Sequence, residues 1–447
     1  NNLLEVYHTI SKIKKEQQKN PRPFLVEAMS FRMRGHEEAS GTKYYPEGLQ
    51  DNWSVKDPVS NFENYLIENK VLTLEKAEEL KSAIKKEINT EWKKAFDAPT
   101  IKASLTNELN DVYKTYTPPV NLPDFNNTKE LRLIDAISEG LKQSMEKHPE
   151  TIIMGQDIAD YGGVFKVTEG FLEAFGKDRV RNTPLCESAI VGAALGLSIM
   201  GKKAIMEMQF ADFVTVGFNQ IINNLAKLHY RWNENADVVI RMPTGAGVGA
   251  GPFHSQSNEA WFFHTPGLKI VYPSSPEDAK GLLIAAIEDP NPVMFFEHKA
   301  LYRSLSGNVP SNYYSIEIGK ANLIKEGNDI SIITYGMGVH WAKESVSKLN
   351  LSADILDLRT LLPLDTEAIY KTANKTGKVL ILHEDCLTGG IGSEIASLIN
   401  EHCFEKLDAP VLRCASIDSP VPFASDLEKQ FLANDQLEEK LIQLLSY

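Results

Sequence analysis

Apolar positions along the chain fall into two textures. In the first hundred residues they recur every three or four positions. Leu3, Leu4, Val6, Tyr7, Ile10 and Ile13 predict a helix at the start. Leu74, Ala77, Leu80, Ile84, Ile88 and Trp92 predict a second, longer one whose opposite face, rich in Lys and Glu, is solvated. Between them, after Pro21 and Pro23, the run Phe24-Leu25-Val26 predicts a short buried strand. Residues 30–58 are polar and aperiodic, which predicts a long loop of the kind that usually carries function. Residues 97–128 hold no sustained period and contain Pro118-Pro119, Pro123 and Asn126-Asn127, the composition of a linker.

From residue 129 the pattern changes to short β-rich runs alternating with helical stretches. Strands are predicted at 152–154, 204–206, 238–240, 270–272 and 293–296, with helices at 131–147, 187–199, 212–229 and 276–288. That alternation predicts a parallel sheet covered on both faces by helices. A second linker is expected at 302–317. The alternation then resumes, with strands at 330–334, 353–356, 379–382 and 411–413. The expected organisation is therefore a partial domain at 1–96, an α/β domain at 129–301 and a smaller α/β domain at 318–447.

Composition narrows the class. The 447 residues carry 47 basic and 60 acidic side chains, a net charge of −13, which argues against a nucleic-acid partner. The charge is uneven: residues 1–128 hold 18 basic and 19 acidic side chains, and residues 129–447 hold 29 and 41. No apolar run reaches the roughly 18 residues of a membrane span, and no signal-peptide pattern opens the sequence. Four scattered cysteines, Cys186, Cys386, Cys403 and Cys414, suit neither a disulfide framework nor a zinc site. A reducing, cytoplasmic setting is expected.

Three places invite chemistry. Glu187 opens an apolar helix after Leu185 and Cys186; with Ile190 and Val191 these neighbours would desolvate its carboxylate and suit it to carry a proton. On its own such a residue is a first-turn carboxylate favoured by the helix dipole. His254 ends a glycine-rich loop, and His36 lies in the polar loop Phe31–His36; histidines so placed are better acid–base candidates than core histidines. The segment Gly245–Gly251 imitates a dinucleotide fingerprint. However, Pro252 and Phe253 stand where a helix should open, so a loop permitting close backbone approach is the better reading. No metalloprotease, nucleophile-elbow or P-loop motif is present.

Gly155–Ala159, Gly162–Thr168, Asn182–Glu187, Glu207–Phe213, His254–Glu259 and Gly389–Glu394 together resemble a known family. It is the beta subunit of the thiamine-diphosphate-dependent 2-oxo acid dehydrogenases, the decarboxylating component of large multienzyme complexes. The front piece, through Phe31–His36, Asp57-Pro58 and the 74–92 helix, resembles the end of the alpha subunit. The chain thus resembles an alpha–beta fusion. The resemblance implies a transketolase-like pyrimidine-binding domain, a transketolase C-terminal-like domain and, ahead of them, part of an alpha-type diphosphate-binding domain.

It also implies roles. Glu187 would hydrogen-bond the aminopyrimidine of thiamine diphosphate, and His254 and His36 would lie near the reacting centre. Leu185, Gln209 and Phe213 would line the cofactor and acyl pocket. Ala286, Asp289 and Asn291, with backbone oxygens of Val238 and Val239, would form a structural potassium site, an oxygen donor set suited to a hard cation. The product acyl group would pass to lipoyl on a dihydrolipoyl acyltransferase, whose subunit-binding domain would be a partner. A homodimer of fused chains would imitate the usual heterotetramer.

Two departures follow. Glu37 stands where some relatives carry a phosphorylated serine, excluding that control. No Gly-Asp-Gly magnesium motif occurs, so magnesium ligands are expected upstream of Asn1 and the chain is expected to be incomplete for activity. Motif texture favours a branched-chain substrate, 2-oxoisovalerate, over pyruvate or acetoin. The alternatives are a non-catalytic binding or assembly module and a transketolase-like enzyme without lipoyl chemistry.

Overall fold

Asn2 caps the first helix, Leu3–Lys19, its side-chain oxygen accepting from the amides of Leu4 and Glu5. This computed structural model describes residues 1–37 and 39–447. The chain separates into two units, Asn1–Ala103 and Ser104–Tyr447.

The first unit is helical. After Leu3–Lys19 come Leu49–Ser54, Pro58–Glu68 and Leu74–Asp97. Asp57 caps the third of these with 2.8 Å bonds from the amides of Val59 and Ser60, and Pro58 occupies the first turn, where no amide is needed. The strand expected at Phe24–Val26 does not form. Leu25 is 99% exposed, and the unit offers no neighbouring strand to pair with it. The long loop contains a helical turn at Leu49–Ser54. Ala77 is the one buried apolar residue among those described in this unit, so the stripe Leu80, Ile84, Ile88 and Trp92 has the foreseen helical period but no cover within the unit.

The second unit holds fourteen strands: β1 Thr128–Arg132, β2 Ile152–Gly155, β3 Val180–Asn182, β4 Ala204–Glu207, β5 Val238–Thr244, β6 Lys269–Val271, β7 Val293–His298, β8 Ser306–Pro310, β9 Asn322–Lys325, β10 Ile330–Thr334, β11 Ala353–Asp357, β12 Thr360–Leu362, β13 Val379–Cys386 and β14 Leu412–Ser416. They form a seven-stranded sheet in the order β12-β6-β7-β5-β4-β2-β3, a five-stranded sheet β14-β13-β10-β11-β9, and the pair β1-β8. The two large sheets are parallel except at the edges, where β12 runs antiparallel to β6 and β9 antiparallel to β11. Strands β5 and β7 are buried along their whole length, as expected of central strands covered on both faces.

Two stretches expected as linkers make specific contacts, although most of 104–128 stays exposed. Tyr113 donates its hydroxyl to the Leu268 carbonyl at 2.9 Å, and Asn291 clasps the Lys114 backbone, accepting from its amide and donating to its carbonyl. Residues 306–310 are β8, antiparallel to β1. Their proline- and asparagine-rich composition reflects edge pairing and side-chain capping of the backbone rather than freedom. The helix expected at 212–229 is broken by a π turn at Gln220–Leu225.

Candidate functional site

Four neighbouring parallel strands, β5, β4, β2 and β3, deliver their carboxyl ends to one edge of the seven-stranded sheet, where such folds bind ligands. Gln156 and Asp157 follow β2. Thr183–Glu187 follow β3, Met208–Phe213 follow β4, and the glycine-rich loop with His254 follows β5.

Glu187 is the first residue of the helix Glu187–Ile199 and is 8% exposed. Its Oε1 accepts from Gln156 Nε2 at 2.8 Å, and no protein donor among the described residues meets Oε2. The Gln156 Oε1 is buried and lacks a partner. Ile190 and Val191 are buried, but Leu185 is 79% exposed and gives none of the cover expected of it. Gly217 lets the facing helix come close: a Cβ there would lie 3.1 Å from Val191 and 3.6 Å from the Glu187 carbonyl.

His254 stands edge-on to two rings, 4.8 Å from Phe210 and 5.5 Å from Phe213, and Phe165 buttresses Phe210 at 5.6 Å. Gln209 donates to Asp157 Oδ2 at 3.3 Å. The edge thus brings together Glu187, Gln209, Phe213 and His254. A carboxylate with one oxygen free, an orphaned carboxamide oxygen and an aromatic wall fit the aminopyrimidine end of thiamine diphosphate.

His36 belongs to the first unit. It is exposed, its Nδ1 3.5 Å from Arg32 Nη1, in a loop held by Tyr45 and Gln50, which donate to the carbonyls of Arg32, Arg34 and Met33. The residues expected to hold potassium lie at the opposite end of β5. Val238, Val239 and Ala286 are buried there; Asp289 is ion-paired with Lys269 and accepts from Asn291, which itself holds Lys114. The side-chain oxygens of Asp289 and Asn291 thus meet protein donors in this arrangement. The described residues contain no group of three or more His, Cys, Asp or Glu able to hold a metal ion.

Several polar residues beside the site were not foreseen. Arg241, fully buried in β5, donates to Glu207 at 2.6 Å and through two nitrogens to Glu297 at 2.7 and 2.8 Å. Burial, with the charge of Glu297, pushes the Glu207 carboxyl up against the pull of Arg241. Lys299 donates to the Gly245 carbonyl at 2.7 Å, and burial pushes its ammonium down to about 8. Asp212 accepts from the Gln256 amide and side chain at 3.1 and 3.0 Å. A polar residue immediately past a β-run was the available signal for Gln156 and Asp157. Arg241, inside an apolar run, carried none.

Comparison with known proteins matches three stretches of the chain to described families. Residues 129–304 match the family described as transketolase, pyrimidine binding domain; 319–436 match transketolase, C-terminal domain; and 1–104 match dehydrogenase E1 component. The chain is 48% identical over 321 residues to the 2-oxoisovalerate dehydrogenase subunit beta of Bacillus subtilis, covering 70% of this chain and 98% of that relative. It is 44% identical to an Arabidopsis thaliana 2-oxoisovalerate dehydrogenase subunit beta, covering 66% of this chain and 84% of the relative. To the pyruvate dehydrogenase E1 component subunit beta of Bacillus subtilis it is 41% identical, covering 68% of this chain and 95% of the relative. A solved structure described as a split gene transketolase, inactive beta4 tetramer, shares the fold at 23% identity and a TM-score of 0.58, covering 71% of this chain and 98% of that one. With these family matches and near-complete coverage of a beta subunit at 48% identity, the chain belongs to the thiamine-diphosphate-dependent 2-oxo acid dehydrogenase family.

Proposed function

We propose that the chain works as the decarboxylating component of a 2-oxo acid dehydrogenase complex, acting on a branched-chain 2-oxo acid such as 2-oxoisovalerate and passing the acyl group to lipoyl on a dihydrolipoyl acyltransferase. The observation that carries this is Glu187, buried at the strand ends with Gln156 on one oxygen and the other free. Bound there, thiamine diphosphate supplies a nucleophilic thiazolium carbon and an electron sink for the pair left when carbon dioxide departs.

The chain's own share is orientation and proton handling. Glu187 Oε2 would hydrogen-bond the aminopyrimidine ring and share a proton with it, favouring the imino tautomer, while Gln156 fixes the carboxylate's rotamer. Phe210 and Phe213 exclude water from the reacting side and set the His254 ring edge-on, where its nitrogen can move a proton during acyl transfer. His36 would serve the same centre from the alpha-type segment. Magnesium would accompany the diphosphate. The higher identity to the 2-oxoisovalerate relatives supports the branched-chain substrate, and the pyruvate relatives keep pyruvate as the second reading.

Turnover of 2-oxoisovalerate and pyruvate by the intact protein, with thiamine diphosphate, magnesium and a lipoyl domain, tests this. Faster use of 2-oxoisovalerate, and loss of turnover in Glu187→Ala, are expected. Wild-type turnover by Glu187→Ala would sink the assignment.

A further inference from the structure

The glycine-rich segment that imitates a nucleotide fingerprint does bind an anion through its amides, but the anion is a side chain of the same chain. Glu428, 5% exposed and more than 170 residues away in sequence, accepts from the Gly247 amide at 2.9 Å and from the Gly249 amide at 3.1 and 3.2 Å. Gly247 and Gly249 both have positive φ, which turns their amides the same way and makes a small anion-binding nest. Five residues before Glu428, Phe423 packs on Gly251. A Cβ at Gly251 would lie 2.4 Å from the Phe423 ring, so a side chain there would push the ring off. Glu384 accepts from the Ala246 amide at 2.6 Å, anchoring the start of the same loop. His254 lies three residues beyond Gly251.

We propose that Glu428 is a positioning residue: the C-terminal domain sets the His254 imidazole against Phe210 and Phe213 by clamping the glycine loop through Glu428, with Phe423 on Gly251 as the second grip. This rests on the role proposed for His254. It gives the C-terminal domain a part in the chemistry, though Glu428 touches neither cofactor nor substrate.

The test uses the intact protein and reads two quantities: the rate of lipoyl-domain acylation and amide exchange in residues 245–259. Glu428→Ala should lose acylation by about 100-fold, the scale of a misplaced general acid–base group, and should speed exchange in the loop alone. Glu428→Gln keeps an acceptor oxygen and should restore most of the rate. Gly251→Ala should reproduce the loss. In a His254→Ala background, Glu428→Ala should add little, because both changes remove one function. Unchanged exchange, or additive losses in the double variant, would overturn the clamp. Full activity in His254→Ala alongside faster exchange would instead overturn the role of His254 and leave the clamp standing as a structural contact only.

Discussion

At the scale of single residues, the chemistry proposed for Glu187 depends on how few partners it has. Gln156 is its one protein donor among the described residues, and a hydrogen bond to a charged group contributes about 2 kcal/mol. Gln156→Leu should therefore slow decarboxylation by roughly 30-fold with thiamine diphosphate saturating, a loss measured by steady-state turnover. Glu259 makes a different case. It accepts from Tyr335 at 2.7 Å, its second oxygen is buried without a partner, and burial, with the charge of Asp385, pushes its carboxyl up to about 8. The native state then holds a proton that the unfolded chain releases near the ordinary glutamate value. Its contribution to stability is present at low pH and is lost as pH rises toward about 8. Glu259→Gln, which keeps an acceptor for Tyr335, should flatten the fall of the unfolding midpoint between about pH 5 and pH 8. Calorimetric scans across that range showing an unaltered slope would refute this.

Among elements, β5 is the hub of the seven-stranded sheet, and its charge lies where an apolar run predicted none. Arg241 joins the ends of β4 and β7 by binding Glu207 and Glu297, and Tyr302 adds a bond to Glu297. Removing the cation leaves two buried carboxylates facing each other. Arg241→Met should cost about 3–5 kcal/mol, read as a lower urea midpoint, with part of the loss recovered in mild acid as the carboxylates protonate. Such a network was illegible because alternation and period report which positions are buried, not which buried residues are charged and paired. The tie at Lys114 escaped for a related reason: its backbone partner is the side chain of Asn291, far away in sequence. Helices were easier to foresee, since a repeat near 3.6 is written in adjacent turns. Even so, the apolar triplet Phe24–Val26 shows that a strand needs a neighbour as well as a run.

For the molecule as a whole, the described helices include none long and apolar enough to cross a membrane, and the first unit leaves its long helical stripe uncovered within itself. A homodimer predicts a light-scattering mass of about twice that of one intact chain; a single-chain mass over a wide concentration range would count against it. The alternation of elements was readable directly, because hydrophobic period is a local property of the chain. So were Glu187 and His254 as candidates. Their surroundings were not. The Gln156 bond to Glu187 and the Glu428 grip on the glycine loop join positions brought together only when the strand order β5-β4-β2-β3 and the neighbouring sheet are in place. Local pattern sets which face of each element is buried. Which polar groups then meet across that burial depends on topology, and an unpaired buried charge is costly enough that those meetings are specific.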